Sequence, residues 1–162
     1  GQCEEGVRLL RERFPGIRAL RDVTPGMLDA CRKDLSETVF RRCRHVVTEN
    51  VRVSAAAKAF AENDFPAVGK LLQESHVSMR DDYEISLPEI DLLVEIASSV
   101  PGCYGARLTG AGFGGAVISL VDTGAADVFA EEVVEEYRAK TCKAGTAMRV
   151  VPDEGSRKEE PV

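Results

Sequence analysis

Apolar positions recur every three to four residues from Cys3 to Ser99 and then switch to every second residue, so the pattern divides the chain into a helical half and a mixed half. Cys3 to Arg13 carries the first helical stretch, and Pro15-Gly16 stops it. A short segment opened by Pro25 follows. Val39, Phe40, Cys43, Val46, Val47, Val53, Ala57 and Phe60 then repeat at helical spacing and predict one long helix from Ser36 to about Glu62. Asn63-Asp64 breaks and recaps the chain, after which Phe65, Val68, Leu71, Leu72, Ser75 and Met79 mark the next helix. Ser86 with Glu89 three residues on reads as a capping box. With Pro88 near the start, it predicts a helix from Leu87 to about Ser99, ended by Pro101-Gly102.

Beyond Cys103 the period is two. Tyr104 to Thr109 alternates small or apolar with polar residues, and Ala116 to Val121 is rich in β-branched side chains, so both segments read as strands. Ala125 to Lys140 returns to helical spacing through Val128, Phe129, Val133 and Tyr137, and Thr146 to Val151 reads as a last strand. The expected fold is α+β: a mainly antiparallel sheet backed by helices, in one domain over residues 1–152. The polar, Pro-flanked tail over residues 153–162 reads as disordered.

Composition narrows the function classes. The chain has 162 residues, 44% of them hydrophobic and 30% charged, and no apolar run of membrane-spanning length, which describes a soluble domain with a real core and no membrane partner. A net charge of -6 disfavours nucleic acid as a partner. Arg41, Arg42, Arg44 and His45 form one short basic run, but Glu37 and Glu49 stand four residues from Arg41 and His45, so the run reads as a solvated, ion-paired helix face with His45 on the surface. The five cysteines are odd in number and form no C-x-x-C pair, which argues against a disulfide framework and a zinc site. Reduced thiols in the cytoplasm are the simplest reading, and no secretory signal stands at the start.

Two stretches carry candidate chemistry. In Arg107 to Leu120, Gly110, Gly112 and Gly115 fit G-x-G-x-x-G. The expected setting is strand, loop, strand, whereas a dinucleotide fingerprint runs from strand into helix and needs an acidic residue about 20 positions on. G-x-G-x-x-G-x-V also opens protein kinases, yet no V-A-I-K, H-R-D or D-F-G follows, and no Walker A pattern is present. A plain hairpin turn with bulges remains possible. Four glycines within Gly110 to Gly115, with Phe113 among them, exceed what a hairpin needs; backbone so bare permits close approach, and successive free amides make a nest for anionic oxygen. The second stretch holds His76, Arg80, Asp81, Asp82, Tyr83 and Glu84. A histidine beside carboxylates suits a metal site or an acid-base pair, but charges bunched at a helix end are more often capping or solvated groups.

The residues "ARLTGAGFGGAVISLV" closely resemble the C-terminal glycine-rich motif of the superfamily of galactokinase, homoserine kinase, mevalonate kinase and phosphomevalonate kinase. "FRRCRHVVTEN", "ESHVSMRDDYEIS", "LPEIDLLVE" and "GQCEEGVRLL" resemble segments of its galactokinase family, and the likeness runs from about Gly1 to Val151. Ala116 and Leu87 depart from that family's pattern, each standing where a cysteine is common. The resemblance implies a ferredoxin-like C-terminal domain of an enzyme that phosphorylates galactose with ATP and Mg²⁺. It further implies that an N-terminal half supplies the main phosphate loop, the sugar contacts, the catalytic base and most of the ATP and Mg²⁺ binding, and that the first strand of the sheet lies upstream of Gly1. Thr109, Gly110, Ala111, Gly112, Phe113, Gly114 and Gly115 would then form a loop that closes the site over the transferring phosphoryl group, with Arg80 and Asp82 shaping it and no catalytic or metal-ligating residue here. A related sugar kinase, or a noncatalytic sensor or docking module, would share these features.

Overall fold

Helix starts fall where side chains can take up free backbone amides. In the computed structural model, which describes residues 1–151, Ser36 accepts from the Val39 amide at 3.3 Å to begin α3 (Glu37–Ala61). Asp64 does the same for Ala67 at 3.0 Å at the head of α4 (Phe65–Ser78), and Thr24 caps the short α2 (Pro25–Ala30). Before them stands α1 (Gln2–Arg13), and after them α5 (Pro88–Ser99), strands β1 (Cys103–Thr109) and β2 (Ala116–Val121), and α6 (Ala126–Thr141). β1 and β2 are antiparallel, with Leu108 opposite Val117 and Thr109 opposite Ala116. The result is an α+β fold, mostly helical, with a two-stranded sheet among the described residues.

Several expectations are corrected. Thr146 to Val151 forms no strand; Met148 and Val150 are 82% and 71% exposed, because period-two alternation makes a strand only beside ladder partners, and none lies there among the described residues. The tail over 153–162 lies outside the described residues. Ser86 and Glu89 make no capping box: the Ser86 hydroxyl donates to Asp91 Oδ1 at 2.5 Å, and Glu89 pairs with Lys143 at 2.8 Å. The helix expected to run through Met79 ends at Ser78 and widens into a π turn, Met79–Tyr83, closed by Glu84 in the left-handed region at φ 57°.

Three apolar clusters hold these elements. Leu10, Leu28, Val39, Phe40, Cys43 and Val47 join α1, α2 and α3. Val94, Ile96, Ala97, Val100, Ala106 and Val133 join α5, β1 and α6. A smaller cluster of Met79, Ile90 and Leu108, flanked by Ile85, Leu87 and Val117, lies where β1 ends and β2 begins. Between α4 and β1 the backbones themselves touch. A Cβ on Gly69 would stand 1.9 Å from the Tyr104 carbonyl oxygen, and one on Gly105 would stand 2.2 Å from the Gly69 oxygen.

Both histidines are buried, which corrects the surface placement of His45. Its ring stacks on Tyr83 at 4.6 Å between centroids, and Nδ1 lies 3.0 Å from Ser78 Oγ, which in turn donates to Asp82 Oδ2 at 3.1 Å. His76 bridges three elements from α4. Nδ1 accepts the Leu108 amide of β1 at 3.3 Å, so the neutral ring carries its proton on Nε2. Nε2 sits 3.1 Å from Asp91 Oδ1 of α5, an electrostatic contact inside ion-pair range but out of line for a hydrogen bond. Burial pushes both imidazoles below their usual 6.5, outweighing the carboxylates nearby.

Two outcomes are expected. Gly69→Ala, which would stabilise an exposed helix, here drives a Cβ into backbone and should cost about 1–3 kcal/mol in urea denaturation; a neutral or stabilising result would show that α4 can lift off β1 freely. A histidine whose pKa is lower folded than unfolded gives stability that is present above the unfolded value and lost as pH falls below it. The unfolding midpoint should therefore drop as pH is lowered from neutrality through 6.5, above the range in which the lowered carboxylates titrate. A midpoint that stays flat to about pH 5.5 would show that the rings are protonated where they lie.

Candidate functional site

β1 and β2 leave their ladder at Thr109 and Ala116, and the glycine loop spans the gap. Gly110, Gly112, Gly114 and Gly115 all have positive φ, at 96°, 84°, 125° and 101°, and Phe113 joins them at 59°. Ala111 does not, so handedness alternates along Gly110, Ala111 and Gly112, the alternation that turns successive amides to one side. Such a backbone suits glycine, and Phe113 must be held in it by its surroundings.

What holds it is one short segment. The Phe113 amide donates to the Ile85 carbonyl at 2.7 Å, and a Cβ on Gly112 would meet the Ile85 Cβ at 2.7 Å and its carbonyl oxygen at 2.8 Å. Nothing lies within 4 Å of the Cβ position of Gly110, and Leu87 only grazes that of Gly114 at 3.9 Å. The amides of Ala111, Gly112 and Gly114 bond to no partner among the described residues, and the Phe113 side chain is 69% exposed. The loop thus offers a rim of neutral donors with no acid or base within it. Such a rim can bind anionic oxygen and stabilise developing negative charge.

The segment that seats the loop is fixed from α3. Glu84 bonds to Arg42, which also donates to the Asp82 carbonyl, and pairs with Arg41 at 2.9 Å. Arg42 first, then Arg41, holds the Glu84 carboxyl below the usual carboxylate range. Arg44 grips the buried Asp82 carboxylate bidentately, donating from Nε to Oδ2 at 3.1 Å and from Nη2 on the same guanidinium edge to Oδ1. The basic run is therefore no solvated face paired along its own helix. Glu37 instead pairs with Arg32, and Glu49 with Arg52 and Arg107. Arg107, two residues before Thr109, also donates to Ser75 Oγ at 2.8 Å and so ties β1 to α3 and α4. Burial raises the Glu49 carboxyl most among the single influences, but Arg52, Ser75 and Arg107 together leave it below its usual range.

Of the two residues expected to shape the loop, Asp82 is a buried anchor beneath its seat, whereas Arg80 is exposed and pairs with Asp81 at 2.7 Å. His76 works from the opposite side through Leu108, and no metal-holding group of three or more His, Cys, Asp or Glu side chains occurs among the described residues. Sequence reasoning missed Ile85 and the pairing of Glu84 with Arg41 and Arg42. The arginine run was visible; its partners lie some 40 residues on, beyond any local pattern. A cleft of about 270 Å³ between α3 and α4 is lined by Arg44, Arg52, Glu74 and Asp82 among others and by no residue of the loop. None of the five cysteines is paired, and no described helix is long and apolar enough to cross a membrane.

Known proteins resemble this chain over most of its length. The galactokinase of Roseiflexus sp. (strain RS-1) is 46% identical over 145 residues, covering 90% of this chain and 37% of the relative. That of Bos taurus is 47% identical over 136 residues, covering 84% and 33%. The crystal structure of Lactococcus lactis galactokinase complexed with galactose superposes with a TM-score of 0.82 at 35% identity, over 88% of this chain and 37% of that one. The chain thus spans between a third and two-fifths of the length of these relatives. Residues 56–139, which take in α4, α5, both strands, the glycine loop and most of α6, match the family described as GHMP kinases C terminal, and the chain belongs to that family.

Proposed function

We propose that this chain is the C-terminal domain of a galactokinase, an enzyme that transfers a phosphoryl group from ATP to galactose to give galactose 1-phosphate. The observation that carries the reading is the glycine loop: a rim of unbonded amides held on one seat, within a chain that is 46% identical to a curated galactokinase across most of its length. The galactose complex of the Lactococcus lactis protein supports the sugar as substrate.

ATP would bring the phosphoryl group and its charge. The amides of Ala111, Gly112 and Gly114 are the groups of this chain that fit anionic oxygen, and Thr109, half-buried beside them, adds a hydroxyl. Phosphoryl transfer relies on positioning and charge stabilisation, so neutral donors at the rim contribute without exchanging a proton. Mg²⁺ and the proton acceptor fall, in this reading, to an N-terminal half of the enzyme, which is also the partner we assign to this domain. The unpaired thiols support a cytoplasmic enzyme.

In the full-length protein, Gly112→Val should lower kcat by about a hundredfold or more, while the unfolding free energy changes by no more than about 1–2 kcal/mol. Loss of stability with kcat intact would return the loop to a plain hairpin. Residues 1–162 expressed alone should phosphorylate no galactose, and the N-terminal half added in trans should bind them and restore turnover. Robust turnover by a monomeric 1–162 would overturn the assignment of catalysis to the other half.

A further inference from the structure

The glycine loop has little to rest on. Ile85 supplies its backbone bond and its closest packing, and Ile85 follows directly on Glu84, a residue with a side chain in the left-handed region. That conformation persists only where the surroundings hold it, and the surroundings here are two arginines. Arg41 Nη1 reaches the Asp81 carbonyl at 2.9 Å and Glu84 Oε1 at 2.9 Å. Arg42, 13% exposed, reaches the Asp82 carbonyl and Glu84 Oε2, and its Nε bonds Gln2 of α1 at 3.1 Å. Both guanidinium groups therefore cap the carbonyls of the π turn and grip opposite oxygens of one carboxylate. The Ile85 amide closes the turn onto Met79 at 3.1 Å, which leaves its carbonyl facing Phe113.

We propose that Arg41, Arg42 and Glu84 form a positioning clamp that sets the height of the Ile85 carbonyl and, through it, the aim of the loop's free amides. The clamp touches no reacting atom and acts only through the loop. This deepens the kinase reading and rests on it for its effect on turnover. Glu84 is 45% exposed, and a pair so open to water contributes little to global stability. Its main effect therefore falls on local geometry, and stability and loop order separate in the variants.

The test uses the full-length protein carrying Glu84→Gln, with Arg41→Gln as a second variant that keeps Arg42 and its bonds to α1 and the π turn. Hydrogen exchange at the Phe113 amide is read beside the thermal midpoint and steady-state kinetics. Exchange at Phe113 should accelerate by about tenfold in Glu84→Gln and by less in Arg41→Gln, with the midpoint nearly unchanged. In the same variants kcat should fall several-fold while KM for the sugar holds within about twofold, the pattern of an interaction that matters in the transition state. Unchanged exchange at Phe113 in both variants overturns the clamp, whatever the activity. Accelerated exchange with unchanged kcat overturns its part in turnover. Accelerated exchange in a protein that has no kinase activity before substitution sinks the kinase reading and leaves the clamp standing.

Discussion

The contact on which the fold turns is the one between Gly69 and Gly105, where helix α4 and strand β1 meet backbone to backbone. Without side chains at these two positions the helix lies low enough for His76 to reach the Leu108 amide and for Ser75 to reach Arg107. Both reaches steady β1 within a few residues of its end. A strand held this firmly delivers Thr109 to a fixed point, and the loop begins from there. On the other flank α3 holds the turn after α4 and brings Ile85 under the loop's middle. The loop is thus held at its entrance through α4 and at its centre through α3.

Electrostatics and packing divide the task. Apolar clusters join the helices and the sheet, one of them with Ile85 and Leu87 at its flank beside the loop, and charged and polar groups add ties around it: Arg44 to Asp82, Arg42 to Glu84, Arg107 to Glu49 and Ser75. Hydrogen bonds are directional where apolar contacts are not, so a ring of them fixes angle as well as proximity. Four glycines, with no Cβ to restrict φ, make the loop soft in itself. Rigidity has to be supplied by what lies beneath it.

The helices were legible because burial on one face imposes a period that any reader of the sequence can count, and α3, α4 and α6 begin and end within a residue or two of where the apolar pattern puts them. The hairpin was legible for the same reason, and its glycine loop from the density of glycines alone. Other features depend on partners distant in sequence. Thr146 to Val151 has the alternation of a strand and no neighbour among the described residues to make it one. His45 shares a helix with the exposed Arg44 and the half-buried Arg41 and Arg42, and Ser78 and Tyr83, distant in sequence, pack onto its ring. The π turn and the left-handed Glu84 leave no mark in composition, since Met79–Tyr83 would read equally well as one more turn of α-helix.

The clamp between α3 and Glu84 bridges residues 42 positions apart, and the seat it makes lies a further 28 positions before Phe113. Closing such spans costs chain entropy that local helix formation does not. The helices rest largely on local bonds, whereas the shape of the loop requires α3, the π turn and the hairpin to be together. Helix content is therefore a poor measure of whether the loop is in place: a chain with nearly all its helix but without these long-range contacts lacks the one segment that reads as its working surface.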